Sequence, residues 1–336
     1  MPTLEVKPGV SFFYLDSGPP SPPNDTYLTL FVLHGLIFSS PIFSRAVAVS
    51  LKHNIRLVAI TRRDYRGSSS LTSEEIRAVT HGSTEQRVQA FTDRAGEIMK
   101  FIEEFINKNS IPPISANSSG GGFSLCGWSL GNLQGLSVLA FGNRFPDLAK
   151  QLTPYFRSYI YYETAVLFPL PPNIYNPLLD ESMPIEERGT CIISGDPALL
   201  NQYSPSTIKL SCYSQFTEEE LAAIIDNEPL RRTDILFFEL DQQVNVDILR
   251  YAFLQHDDSP RPAWPNVPVK SLWGDETPWS VIFSLRELER WLDRIKEDNN
   301  GRWIRAYDSN CVQGGNHFLH WDQPEIFMEK AKKLML

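Results

Sequence analysis

The sequence predicts an α/β fold, a mostly parallel sheet covered by helices on both faces. Three observations carry that prediction. First, the apolar runs Leu28–Leu33, Ile55–Ile60 and 122–126 lack the polar alternation of a half-exposed strand, as strands buried on both faces do. Second, helical segments separate these runs, the pattern of a parallel sheet with crossover helices. Third, one run leads straight into Gly127-Trp128-Ser129-Leu130-Gly131 and then into the apolar stretch 132–141. Strand, Gly-flanked turn and helix in that order is the context in which G-x-S-x-G lifts a serine clear of a sheet.

Composition sets the bounds. The chain has 336 residues, 42% hydrophobic and 12% aromatic, enough for one large core or a core with an insertion. A formal net charge of -9 leaves no basic excess to neutralise phosphates, so nucleic acid is not an expected partner. The first residues carry no charged-then-apolar leader, and no apolar run reaches membrane-spanning length. The expected location is the cytoplasm, with no membrane span. Cys126, Cys191, Cys212 and Cys311 are scattered, with no C-x-x-C pair; they read as reduced and mostly buried, and offer no zinc site.

In chain order, residues 10–15 read as an opening strand, followed by a Pro/Gly/Ser turn region over 16–25. Leu28–Leu33 stops at His34-Gly35-Leu36, and Ile55–Ile60 stops at the 61–70 loop, with helical character over 41–51 between them. Ser83-Thr84-Glu85-Gln86 fits a capping box, and Val88, Phe91, Ala95, Ile98, Ile102 and Phe105 recur at three- and four-residue steps, which predicts a long core helix. Residues 159–163 read as a strand ending in Glu163. Alternation is lost over 169–262. Helices are predicted at 217–225 and 247–254, so the segment reads as a helical insertion, not a structureless loop. Strand character returns at 267–274, a helix at 282–295, a short strand at 303–307 and a closing helix after the 314–325 loop.

Four motifs now stand in order: His34-Gly35, Asp64-x-Arg66-Gly67-x-Ser69, the turn at Ser129, and Asn316-His317-x-x-His320-Trp321-Asp322-x-Pro324-Glu325. In this the chain resembles the α/β-hydrolase superfamily, over most of 28–168 and 265–336. The wording of 62–67 and 317–322 is similar to fungal members. The resemblance implies an eight-stranded, mostly parallel sheet with a cap inserted after strand six. The expected organisation is a core of 1–168 and 263–336 with a helical cap of 169–262.

The resemblance implies Ser129 as nucleophile and His317, in its Gly-Gly-Asn turn, as the base that activates it. His320 fits a packing role. A carboxylate should hold the histidine's tautomer. The family usually carries it after strand seven in a G-x-x-D pattern, where Gly274-Asp275-Glu276-Thr277 has a threonine. Asp275 or Glu276 could turn inward from the same loop, or Glu163 could reach across from strand six. Glu163 is the preferred acid, because an unpaired carboxylate at the end of a Tyr-rich apolar strand would be costly. Two N–H donors are needed for an oxyanion, and the resemblance points to Leu130 and Leu36. Trp128, Ile37 and Phe318 flank the site in sequence and suggest an apolar pocket. Ser39 and Ser40 could donate to a substrate oxygen or simply shape a turn. No cofactor and no metal are called for.

The leading expectation is a serine hydrolase acting on an ester or lactone of a small, largely apolar molecule. The first alternative is a hydrolase-fold cyclase or isomerase of fungal secondary metabolism that rearranges a lactone, as fungal β-lactone-forming cyclases do. The second is a non-enzymatic binding protein of the same fold. A serine at the elbow disfavours dehalogenation, which needs an aspartate there.

Overall fold

The structure, a computed structural model, describes residues 2–21, 26–164, 182, 216–234, 242–255, 262–298 and 302–336. Eight strands form one sheet: β1 (Thr3–Lys7), β2 (Val10–Asp16), β3 (Leu28–Leu33), β4 (Ile55–Ile60), β5 (Phe123–Trp128), β6 (Phe156–Tyr162), β7 (Val269–Gly274) and β8 (Tyr307–Val312). Their order across the sheet is β1-β2-β4-β3-β5-β6-β7-β8. β1 and β2 pair antiparallel, as do β2 and β4, and every later pair is parallel. This is the α/β-hydrolase fold. β3, β4 and β5 are buried at every position, which is why their sequences show no alternation.

Helices cover both faces. Successive β6 residues show the two sides: the Ser158 hydroxyl donates to Leu334 O at 3.0 Å, and the Tyr159 hydroxyl donates to Asn132 Oδ1 at 2.9 Å. The closing helix, Pro324–Met335, packs with Ser44–Ser50 on the first side. On the second lie the long helix Thr84–Asn109, the helix Gly131–Phe141 and the helix Gln242–Phe253. The long helix starts with the expected capping box, Ser83 to Gln86 N and Gln86 back to Ser83 N. Its apolar stripe meets the sheet through Phe101 and Phe105, edge-on to Phe31 and Tyr14. No helix among the described residues is long and apolar enough to cross a membrane.

Several elements differ from the expectations. The last strand is Tyr307–Val312, not 303–307. It is an edge strand with mostly exposed or half-exposed polar side chains, so it carries no apolar run. The 303–306 stretch is instead held by contacts before the strand: Ile304 bridges Leu254, and the buried Arg305 guanidinium donates to Ala252, Trp264 and Val267 carbonyls. β1, Ser73–Thr80 and Pro146–Leu152 were not anticipated, although Thr72-x-x-Glu75 is a second capping box. Cys126 is buried and Cys311 is exposed; Cys191 and Cys212 lie outside the described residues.

Of the expected cap, 169–181, 183–215, 235–241 and 256–261 lie outside the described residues. Glu218–Ile224 is helical, with Thr217 as its N-cap, and is followed by a π-helical turn, Leu230–Asp234. Gln242–Phe253, expected within the cap, lies against Gly131–Phe141 through Tyr251 and Phe141, and its end joins the core at Ile304. This helix therefore belongs to the layer that covers the sheet.

Candidate active site

Ser129 sits at the end of β5 with φ +52°, a left-handed conformation that a serine adopts only under constraint. The constraint is close packing on both sides. A Cβ on Gly127 would lie 2.6 Å from Asn132 Cα, and one on Gly131 would lie 2.4 Å from Leu33 O. Both glycines let backbones meet where no side chain fits. The turn is also tied to β6: Ser129 N donates to Tyr162 O at 3.0 Å. Asn132 Nδ2 donates to Ser129 O at 3.1 Å and to Tyr162 O at 2.9 Å. The Thr164 hydroxyl adds a bond to Ser129 O at 3.2 Å. Asn132 and Thr164 are missed by sequence reasoning; the only signal is a buried amide in the first turn of an apolar helix.

Glu163, the next residue after β6, has φ +51° and is fully buried. Its Oε1 accepts from Gly274 N at 2.6 Å. Its Oε2 accepts from the Thr277 hydroxyl and lies 3.1 Å from His317 Nδ1. A carboxylate oxygen accepts, so the contact assigns a proton to Nδ1, which in a neutral imidazole leaves the lone pair on Nε2. The structure therefore brings Glu163 and His317 together. Asp275 is elsewhere: its Oδ1 accepts from Gly314 N at 2.6 Å, which tethers the loop that carries His317. Glu276 N donates to Gly315 O in the same tether. Thr277, at the position where an aspartate was expected, supplies a hydroxyl donor to the carboxylate that stands in for it.

His317 is 16% exposed at its side chain and Ser129 is half-buried, so both reach solvent. Trp128 is buried, and its Nε1–H donates to His317 O at 2.9 Å. It packs behind the histidine, with ring centroids 5.2 Å apart. Phe318 is buried too and meets Phe38 and Trp128 edge-on. His320 is fully buried beneath them, stacked on Phe43, with Nδ1 3.0 Å from the Tyr162 hydroxyl. Burial, and after it the charge His317 can carry, push its pKa well below the usual histidine value, so it stays neutral.

The other side of the site is the loop after β3. His34 is fully buried; its Nε2 accepts from Arg62 N at 2.9 Å and its Nδ1 faces Gly35 O at 3.0 Å. Burial, and then the nearby Arg62, hold it neutral as well. Ile37 has φ +63° and is buried. Phe38 N donates across it to Leu36 O at 2.7 Å, a three-residue γ-turn. Among the described residues neither Leu36 N nor Leu130 N donates a hydrogen bond. Ser39 and Ser40 have partners: the Ser39 hydroxyl donates to Ile224 O, and the Thr61 hydroxyl donates to Ser40 Oγ.

The sequence comparison identifies the family. The chain belongs to the alpha/beta hydrolase family, whose sequence profile matches residues 30–330. Among curated protein sequences none matches it. Similar solved structures include a thioesterase domain from the curacin biosynthetic pathway, 13% identical, with TM-score 0.53, covering 98% of this chain and 97% of its own. The epoxide hydrolase VrEH1 from Vigna radiata is 16% identical, with TM-score 0.53, covering 99% and 96%. A putative aryl esterase from Burkholderia cenocepacia is 16% identical, with TM-score 0.50, covering 98% and 96%. At these identities the likeness is one of fold.

Proposed function

We propose that the protein is a cofactor-free, cytoplasmic serine hydrolase that cleaves an ester or lactone of a small, largely apolar molecule. The observation that carries this reading is the Glu163–His317 contact of 3.1 Å beside a serine held at φ +52°. In the proposed cycle His317 Nε2 takes the proton of Ser129 Oγ as that oxygen bonds to the substrate carbonyl carbon. Negative charge passes to the carbonyl oxygen, where the Leu36 and Leu130 N–H groups would receive it. Glu163 stabilises the imidazolium. His317 then gives the proton to the departing alkoxide, and an acyl group remains on Ser129. Water, deprotonated by His317, releases the acid. The neighbours' described activities, on esters and thioesters, are compatible with this chemistry. Leu36, Ile37, Phe38 and Phe318 supply the apolar surroundings, and Trp128 supports the histidine from behind. We further propose that the insertion after β6 forms a cap over the site, with 216–234 as the part bordering the oxyanion loop.

The cyclase alternative draws its motive from an acid missing at position 277. Glu163 against His317 is a displaced acid but supplies the carboxylate that hydrolysis needs, and on that ground we rank hydrolysis ahead of lactone rearrangement and of a binding role. A fluorophosphonate probe should label Ser129, and a panel of aryl esters and lactones should be turned over. Ser129→Ala should abolish labelling and lower turnover by about a million-fold, with the fold intact by circular dichroism. Turnover near that of the parent protein would remove the serine mechanism, and a lactone product without net water uptake would restore the cyclase.

A further inference from the structure

Among the described residues, a buried polar cluster lies apart from Ser129, Glu163 and His317. It joins the loop after β4 to the π-helical turn Leu230–Asp234. Arg62, Tyr65 and Asp234 are each about 1% exposed. Arg62 Nη1 donates to Asp234 Oδ1 at 3.0 Å and Nη2 donates to Oδ2 at 2.6 Å, a two-pronged pair. The second hydrogen of Arg62 Nη2 is shared between the Tyr65 hydroxyl and Gly35 O, both at 2.9 Å. The Tyr65 hydroxyl gives its own proton to Asp234 Oδ2 and accepts from Ile37 N at 2.9 Å.

Two features of this cluster bear on Leu36. In a trans peptide the N–H points opposite to the preceding carbonyl. Arg62 fixes the direction of Gly35 O, and so fixes the opposite direction of the Leu36 N–H. On the other side of Leu36, Ile37 holds a left-handed conformation that is foreign to a β-branched residue. Its N–H is bonded to Tyr65, and its carbonyl accepts from Asp226 N at 2.8 Å. Tyr65 can accept there because Asp234, an acceptor only, takes its single proton. Leu36 is thus gripped at both of its peptide links.

We propose that Arg62, Tyr65 and Asp234 form a buried clamp that aims the Leu36 N–H at the reacting carbonyl. Asp234 comes from the segment inserted between β6 and β7, which makes that segment a component of the oxyanion hole. The three are positioning residues, since none of them touches the substrate. The inference rests on the serine-hydrolase reading.

The test is Tyr65→Phe, which keeps the ring and removes the acceptor for Ile37 N together with the hydroxyl's bonds to Asp234 and Arg62. 4-Nitrophenyl butyrate serves as substrate, and an aryl trifluoromethyl ketone, which adds reversibly to a serine, serves as the tetrahedral probe. Loss of an oxyanion donor costs about 10²–10³ in kcat, and a misaimed one less. We expect kcat to fall by about 10- to 100-fold with KM within about twofold, and ketone affinity to weaken in step with kcat/KM. A merely structural tyrosine would not tie ketone affinity to kcat. Asp234→Asn keeps the shape and one acceptor oxygen; it should lose about 3- to 10-fold in kcat in the same pattern, and carries the test if Tyr65→Phe fails to fold. Two folded variants with unchanged kcat, or losses confined to KM, would overturn the clamp alone. A parent protein that neither binds the fluorophosphonate nor cleaves the ester would remove the serine reading and the clamp with it.

Discussion

The two halves of the site are built on different terms. The acid–base half stands on the ends of β5, β6, β7 and β8. Glu163 receives Gly274 N, the Thr277 hydroxyl and His317 Nδ1, and the His317 backbone is held by Trp128 from β5. The oxyanion half hangs from one loop of the core and leans on residues of the insertion. Phe38 bridges Ile225, Ser39 N donates to Ile224 O at 2.8 Å, and Ile37 O accepts from Asp226 N. Asp226 Oδ2 in turn accepts from Arg66 N at 2.7 Å, and Asp234 holds Arg62. Sheet geometry alone positions the first half. The second also leans on 224–234 of the insertion, so under the proposed reading a cap that selects substrate and the donors that stabilise charge would share residues.

The largest effect separating the halves should come from Glu163. Glu163→Gln keeps the shape but can present a donor to Nδ1, and so favours the wrong tautomer. Turnover should fall by about 10⁴-fold, as loss of the acid does in a serine triad. Asp275→Asn loosens only the tether to Gly314 and should stay within a few-fold. Equal losses in the two variants would mean that the acid is shared with the strand-seven loop.

Thr277 gives a sharper test. Thr277→Asp on its own sets a second carboxylate against a buried one, and should cost activity. In a Glu163→Gln background the same change returns a carboxylate to the place where the family usually carries it. We expect the double variant to be at least about 10-fold faster than Glu163→Gln alone, on the order of a quarter of the lost barrier. Additive losses, measured on 4-nitrophenyl butyrate, would show that this site accepts an acid from β6 only.

How much of this is legible in the sequence follows from the same contrast. Strands β3, β4 and β5 are readable because both faces are buried and the positions are apolar apart from Thr29, Arg56 and Ser124. β8 is not, because an edge strand of Tyr-Asp-Ser-Asn-Cys-Val has no hydrophobic signature to display. Glu163 is readable as a carboxylate in need of partners, since it ends an apolar strand. Thr277 reads only as a lost acid. Its role as a donor to Glu163 depends on two strand ends meeting across 114 positions of chain. Tyr65 and Asp234 are 169 positions apart, and no local pattern links them. Side chains that act on the site through other residues are invisible until tertiary structure brings them together.

The smallest predicted effect uses one histidine from each half. His34 and His320 are both fully buried with pKa values well below the usual 6.5. In the unfolded chain each would titrate near 6.5, so below that pH the unfolded state binds more protons than the folded state. Stability is then fully present above about pH 6.5 and is lost as pH falls towards the folded values, by about 1.4 kcal/mol per pH unit for each histidine. Urea unfolding between pH 6.5 and 5 should show this slope. His320→Phe keeps a ring against Phe43 and Trp128 and removes the titrating group, so the slope should fall by about 1.4 kcal/mol per pH unit. His34 cannot be replaced as simply, because its Nε2 is the acceptor for Arg62 N; protonation there would displace the start of the clamp loop. Acid should therefore weaken the oxyanion half before the acid–base half in the His320→Phe variant. Trifluoromethyl ketone affinity that falls at an acid pH where Glu163 and His317 still stay paired by NMR would show that order, and simultaneous loss would contradict it.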